Sequence, residues 1–157
     1  ISGLRTAKEK EYRALLITRE TDYALRVLRV LTDGERHTMK ALCETEEIPQ
    51  QFAYKIIRKL ADADMITCTR GVNGGCQLKN DLAEYTLYDL ITTINPDRYV
   101  NACMDPHYSC DWRQKHDGHC GLHNRQREVQ NEMEHLLRGY RLSEMMQEDI
   151  RAREFGK

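Results

Sequence analysis

Residues 49–78 read PQQFAYKIIRKLADADMITCTRGVNGGCQL, and this stretch decides the fold. A proline at the first turn of a helix lacks only an N–H that would go unpaired anyway, so Pro49 marks a helix start, and the pattern runs to about Asp64. Ala53, Ile56, Ile57 and Leu60 recur at helical spacing as the buried stripe, while Gln51, Lys55, Arg58 and Lys59 fall on the outer side with Tyr54 at its edge. That outer face is basic and rich in hydrogen-bond donors. Met65 to Arg70 is alternating and β-branched, and Gly71-Val72-Asn73-Gly74-Gly75 turns it back into Cys76-Gln77-Leu78, which predicts a β-hairpin. Between Tyr54 and Lys79 the cations Lys55, Arg58, Lys59, Arg70 and Lys79 face only Asp62 and Asp64, five against two.

Upstream, Thr18 is placed to cap a first helix, with Glu20 and Asp22 at the positive end of its dipole and Ala24, Val27, Leu28 and Leu31 as its apolar stripe. Asp33-Gly34 ends it. Thr38 opens a short second helix through Met39, Ala41 and Leu42, which breaks at Ile48-Pro49. Three helices followed by a glycine-rich hairpin is the order of a winged helix-turn-helix, so the fold class is mainly α with a small β-hairpin wing. In such a domain one helix offers side chains to base edges and phosphates, and the wing approaches the backbone closely. Gln51, Tyr54, Lys55, Arg58 and Lys59 on the helix, with Arg70 and Asn73 on the wing, are the candidate contacts to a double-stranded DNA operator.

The rest of the chain divides by pattern. Residues 16–82 form the DNA-binding domain, 83–100 a connecting helix stopped by Asn95-Pro96, 101–123 a polar loop, 124–150 a long helix and 151–157 a tail. Residues 1–15 are charged without clear period and read as a leader or extension. In the long helix Val129, Met133, Leu136 and Tyr140, spaced 4, 3 and 4, make one apolar seam on an otherwise polar surface, the pattern of a helix paired with a second chain. With 24 Lys+Arg against 25 Asp+Glu, a globally basic chain that coats nucleic acid is excluded. The apolar runs are too short for a membrane span or secretory leader, so the cytoplasm is the expected compartment and no membrane partner is expected.

Six cysteines in such a chain point to metal or redox chemistry rather than to a disulfide framework. Three of them, Cys103, Cys110 and Cys120, share residues 103–123 with His107, His116, His119 and His123. Thiolates are soft ligands suited to iron-sulfur centres, zinc or Cu(I), and an imidazole can complete the set. Cys43 reads as a small buried hydrophobe, Cys68 sits on the hairpin, and Cys76 is expected to pack in the wing, although a thiol exposed there could be oxidised. His37 and His135 read as surface residues, and Trp112 is expected to cover the loop's site from solvent. A zinc hydrolase is the rival from another class. It is disfavoured because no Glu or Asp of the loop stands in an obvious general-base motif.

Ile17-Thr18, Thr21-Asp22-Tyr23-Ala24-Leu25-Arg26, Ile48-Pro49, Phe52, Ile56 through Leu60, Arg70-Gly71 and Gly74-Gly75 together resemble the Rrf-type winged-helix transcription regulators, over roughly residues 16–149. The resemblance implies a homodimer on a near-palindromic operator, with the C-terminal helix as dimer interface and the cysteine loop as sensor. In members that sense through an iron-sulfur cluster, 2Fe-2S or 4Fe-4S, three loop cysteines bind it, which implies Cys103, Cys110 and Cys120 here. IscR-like members have a histidine three positions after the last cysteine, matched by His123, whereas Asp22 stands where NsrR-like members draw a carboxylate from the partner subunit. The gaps of six and nine residues between these cysteines exceed the family's usual spacing, which keeps His119, His116 and a zinc site open as alternatives. Other members lack a metal and answer through thiol oxidation or a partner protein.

Overall fold

The computed structural model describes residues 17–147. The leader of residues 1–15 and the tail of residues 151–157 lie outside that range. Helix α1 is Arg19–Leu31, α2 Met39–Thr45 and α3 Gln50–Asp62; strands β1, Ile66–Thr69, and β2, Gly75–Leu78, form an antiparallel hairpin. Capping explains where the first two helices begin: the Thr18 hydroxyl accepts from the Thr21 N–H, and that of Thr38 from the Ala41 N–H. Pro49 stands at the N-cap of α3 rather than inside it. The stripes expected from the sequence meet in one core of Val27, Leu28, Leu31, Leu42, Ile56 and Leu60, closed below the hairpin by Met65 and Ile66.

Helix α4, Leu87–Ile94, starts at a capping box in which Thr86 and Asp89 satisfy each other's backbone N–H groups. One side of α4 gives Leu90 and Ile94 to the main core, and the other joins Leu87 and Ile91 to Leu137 further along the chain. After a loop with one short helix, α5 (Asp111–Lys115), comes α6, Gly121–Arg138. The single helix expected over 124–150 is here two. Gly139 caps α6, Arg141 pairs with Thr86 in a β-bridge, and α7, Leu142–Met145, follows. The physical reason is Leu142, which is fully buried in the main core with Met146 and can reach it only if the chain turns back. Residues 148–150 of that expected helix lie outside the described range. The seam is also divided: Met133 packs toward Leu87 and Leu137, while Val129, Leu136 and Tyr140 stay exposed.

Two carboxylates, Glu46 and Glu20, bind helices across the domain. Glu46, buried in the turn between α2 and α3, accepts from the Arg29 guanidinium at 3.2 Å and through a second, shorter contact. Glu20 of α1 accepts from Lys55 at 2.9 Å and Lys59 at 3.5 Å of α3. Partial burial pushes the Glu20 carboxyl up, but the two ammonium groups outweigh it and hold the group below its ordinary 4.5. A folded value below the unfolded one stabilises the fold above that unfolded value, and the contribution fades as pH falls through the folded value. Glu20→Gln is therefore expected to lower the melting temperature at about pH 7 and to cost progressively less as the pH is lowered below the carboxylate range, read by thermal denaturation across that range.

Candidate nucleic-acid interface and cysteine loop

The α1, α2 and hairpin contacts leave the outer face of α3 open. Gln51 is exposed, Tyr54 is 58% exposed, and the Arg58 side chain is 86% exposed with only a 3.9 Å contact to Asp62. Lys55 is half-exposed and shares Glu20. Lys59 departs from the sequence expectation. Its ammonium donates to the Ile94 carbonyl and to Glu20, so it ties α3 to α1 and α4 rather than standing on the open face. Beside α3, Arg70, Val72 and Asn73 project from the wing tip, all exposed.

The wing is anchored from residues 36 and 37. His37 and Cys76 exchange both backbone hydrogen bonds, at 2.9 and 2.8 Å, and the Arg36 guanidinium donates to the Thr69 hydroxyl at 2.5 Å and the Gly75 carbonyl at 3.3 Å. Gly75 has φ +151°, and a Cβ there would lie 2.6 Å from the His37 carbonyl oxygen, so glycine is required for this close approach. Cys68 and Cys76 are register partners, with Cα atoms 4.2 Å apart, and they form a disulfide. The packed thiol expected at Cys76 is thus one end of a cross-strand bond, although its side chain does join the core. The signal was in the sequence: positions 68 and 76 are equidistant from Val72 at the centre of the turn. Arg36 carried no comparable signal. Cys43 is half-buried against the core, and burial, with Glu44 nearby, pushes its thiol up and keeps it protonated.

In the cysteine loop, Cys103 lies in a 3-10 turn, Ala102–Met104, and its thiol donates to the Gln126 side-chain carbonyl at 3.4 Å. Cys110 precedes α5. Cys120 is the N-cap of α6, its sulfur accepting from the His123 N–H at 3.4 Å. His123 is nine-tenths buried, with Nε2 3.4 Å from the Arg113 guanidinium and Nδ1 buried without a hydrogen-bond partner. Burial, with Arg113 and Arg127, holds the ring below the ordinary imidazole range, and therefore neutral, the form that ligates metals. Cys103 and His123 line one pocket of about 580 Å³ with Tyr88, Arg113, Arg127 and Glu134.

Three thiols and a buried imidazole with an unpartnered nitrogen suit a soft metal centre. Even so, among the described residues no three His, Cys, Asp or Glu side chains lie close enough to hold a metal ion, so the loop as folded here does not gather them. His116 is exposed and stacks on Trp112 at 3.9 Å, with Nδ1 2.8 Å from the Trp112 carbonyl. One turn of α5 sets that pair face to face. Trp112 is thus half-exposed beside His116 and does not cover the site. His119 is exposed, and Asp22 pairs with Arg26 at 3.0 Å in a second pocket beside Met145 and Met146. No described helix is long and apolar enough to cross a membrane.

Known proteins share this fold. Residues 17–148 match the family model Rrf2, described as an iron-dependent transcriptional regulator. The HTH-type transcriptional regulator NsrR of Oceanobacillus iheyensis is 32% identical over 88 residues, 54% of this chain and 60% of that protein. IscR of T. potens superposes with a TM-score of 0.62 at 15% identity, covering 86% of this chain and 88% of that one. CymR, the global cysteine regulator of B. subtilis, does so with 0.60 at 17% identity, covering 85% and 97%. At those identities the two structures speak for the fold alone. The extent of the family match decides the rest: the chain belongs to the Rrf2 family of winged-helix transcription regulators, and its task is regulation rather than catalysis.

Proposed function

We propose that the chain binds a near-palindromic double-stranded operator as a homodimer, and that an iron-sulfur cluster in the loop of residues 101–123 controls its affinity. One observation carries the DNA reading: the open α3 face with Tyr54 and Arg58 lies beside a wing that presents Arg70 and Asn73. A protruding arginine can donate two hydrogen bonds to a guanine edge, and cations at the wing neutralise phosphates. Leu122, Val129 and Leu136, exposed at seven-residue intervals on α6, together with Tyr140, supply an apolar face for a second copy. Pairing through α6 would set two reading heads about 34 Å apart, the span of one helical turn of DNA.

A 2Fe-2S or 4Fe-4S cluster bound in the loop would supply a centre whose integrity answers to nitric oxide, redox state or iron supply. The residues that would hold it are Cys103, Cys110, Cys120 and His123, with Asp22, then His119 or His116, as alternatives for the fourth place. His123 supports the first choice because it is buried beside Cys120 with no hydrogen-bond partner at Nδ1; Nε2 accepts from Arg113, so Nδ1 carries the ring proton and would give it up on ligating. Held together by a cluster, these side chains would pin the loop against the first turn of α6 and so would restrain how α6 stands relative to α4 and the reading head.

The experiment is anaerobic purification of the chain, followed by visible absorption and by iron, zinc and sulfide assays on one sample. Matched iron and sulfide support the cluster. Zinc alone, or no metal, favours the alternative regulator governed by thiol oxidation or a partner. Cys110→Ala is expected to abolish the visible absorption and to bind operator duplexes with the affinity of the wild-type chain stripped of its cluster, and a fully coloured variant would show that this thiol is no ligand. Between His123→Ala and Asp22→Ala, faster bleaching in air is expected for the first.

A further inference from the structure

Of the three cysteines outside the loop, Cys68 and Cys76 are bonded to each other in the wing, 8 positions apart. Cys76 points its backbone N–H and carbonyl at His37, so its pairing with Cys68 is the kind without ladder hydrogen bonds, in which opposing side chains come closest. The fold does not need the sulfur bond to keep this register. His37 holds Cys76 by two backbone hydrogen bonds, β1 and β2 pair from Ile66 with Leu78 through Thr69 with Gly75, and the Gly74 N–H donates to the Gly71 carbonyl to close the turn. Two thiols in the reduced wing would therefore remain face to face.

We propose that Cys68 and Cys76 form a reversible thiol-disulfide site, oxidised by low-molecular-weight disulfides, which tightens operator binding by fixing the wing. This rests on the reading of the wing as a DNA contact. Proteins that bind DNA work among reducing thiol pools, where a disulfide is more often a sensing element than a permanent brace. The two sulfurs are unequal: Cys68 is exposed, whereas Cys76 is 4% exposed and packs with the core. That inequality sets the order of steps. The Cys68 thiolate attacks one sulfur of the small disulfide, forming a mixed disulfide and releasing one small thiolate. The Cys76 thiolate then attacks the Cys68 sulfur, closing the protein bond and releasing the second small thiolate. Two protein thiols are oxidised, one small disulfide is reduced, and the two protons the protein thiols give up are taken up by the two released thiolates, which leave as thiols. The closed loop contains Arg70, Val72 and Asn73, the exposed tip that would meet DNA, and a preorganised tip gives up less freedom on binding.

The test uses the full chain in anaerobic buffers that step from reduced glutathione to glutathione disulfide. Alkylation and peptide mass mapping report the state of each cysteine, and affinity is measured on a duplex that the wild-type chain enriches from a random-sequence library. The linked peptide is expected to appear and vanish reversibly, with affinity at least about 5-fold higher in the linked form. Cys68→Ser, chosen because this position is exposed while Cys76 is in the core, is expected to bind at the weaker level in every buffer. The proposal is overturned if the pair stays open or stays closed throughout, if linkage leaves affinity unchanged, or if Cys68→Ser responds like wild type, which would assign the response to the other cysteines. Failure to enrich any duplex in either state sinks the DNA reading and with it the coupling, and the peptide map still decides the sulfur chemistry.

Discussion

Arg58→Ala is expected to lower operator affinity by about 30-fold to more than 1000-fold while leaving the fold and the metal content unchanged. The estimate follows from geometry. Arg58 is the most exposed cation on α3, and its contact with Asp62 at 3.9 Å is too loose and too well solvated to hold it. A bidentate contact to a base is worth about 1–3 kcal/mol, and a two-fold dimer uses it twice, which gives the range above. Lys59→Ala makes the contrast. Its ammonium is engaged with Ile94 and Glu20, so it is expected to lower the melting temperature while moving affinity much less. Electrophoretic mobility shift on the enriched duplex separates the two, and unchanged binding by the Arg58 variant would remove α3 as the reading helix.

Gly75→Ala should detach the wing. An added methyl would meet the His37 carbonyl oxygen at 2.6 Å and carbon at 2.9 Å, both backbone atoms, on a residue already at φ +151°. Backbone strain of this kind together with overpacking costs about 2–4 kcal/mol, and the least costly relief is to open the two hydrogen bonds between His37 and Cys76. Amide exchange at those two positions is then expected to accelerate by about 30-fold to 1000-fold, while amides of Leu28 and Leu60 keep their protection. Operator affinity falls with it. Gly121→Ala, at a position with open space and ordinary φ, serves as the control and should change neither. Wild-type exchange rates in the Gly75 variant would show that the wing yields without parting from His37.

The reading head was legible because its signals are local. Caps at Thr18 and Thr38, the stripe from Ala53 to Leu60 and the glycine turn each act within a few residues, and each lies where the sequence places it. The features that escaped depend on distant partners. Lys59 looks like any outward lysine until α4 brings the Ile94 carbonyl to it, and Leu142 looks like one more helical position until the core is seen to need it. The Cys68–Cys76 pair lies between these cases: the hairpin is readable from local sequence, and its register sets the two positions opposite each other. Around the loop, Arg113 and Arg127 carry no local signal, because α5 and the start of α6 must fold before either stands near His123.

The return of Leu142 to the first core has a consequence for anyone dissecting the protein. Leu90, Ile94, Leu142 and Met146 all complete the core that α1 and α3 begin, and the Thr86–Arg141 bridge fastens the far end of α6 beside the start of α4. A fragment ending at residue 82 would expose that unfinished surface to water, so the reading head is not a portable module for grafting onto other sensors. Its smallest transferable unit extends through Met146.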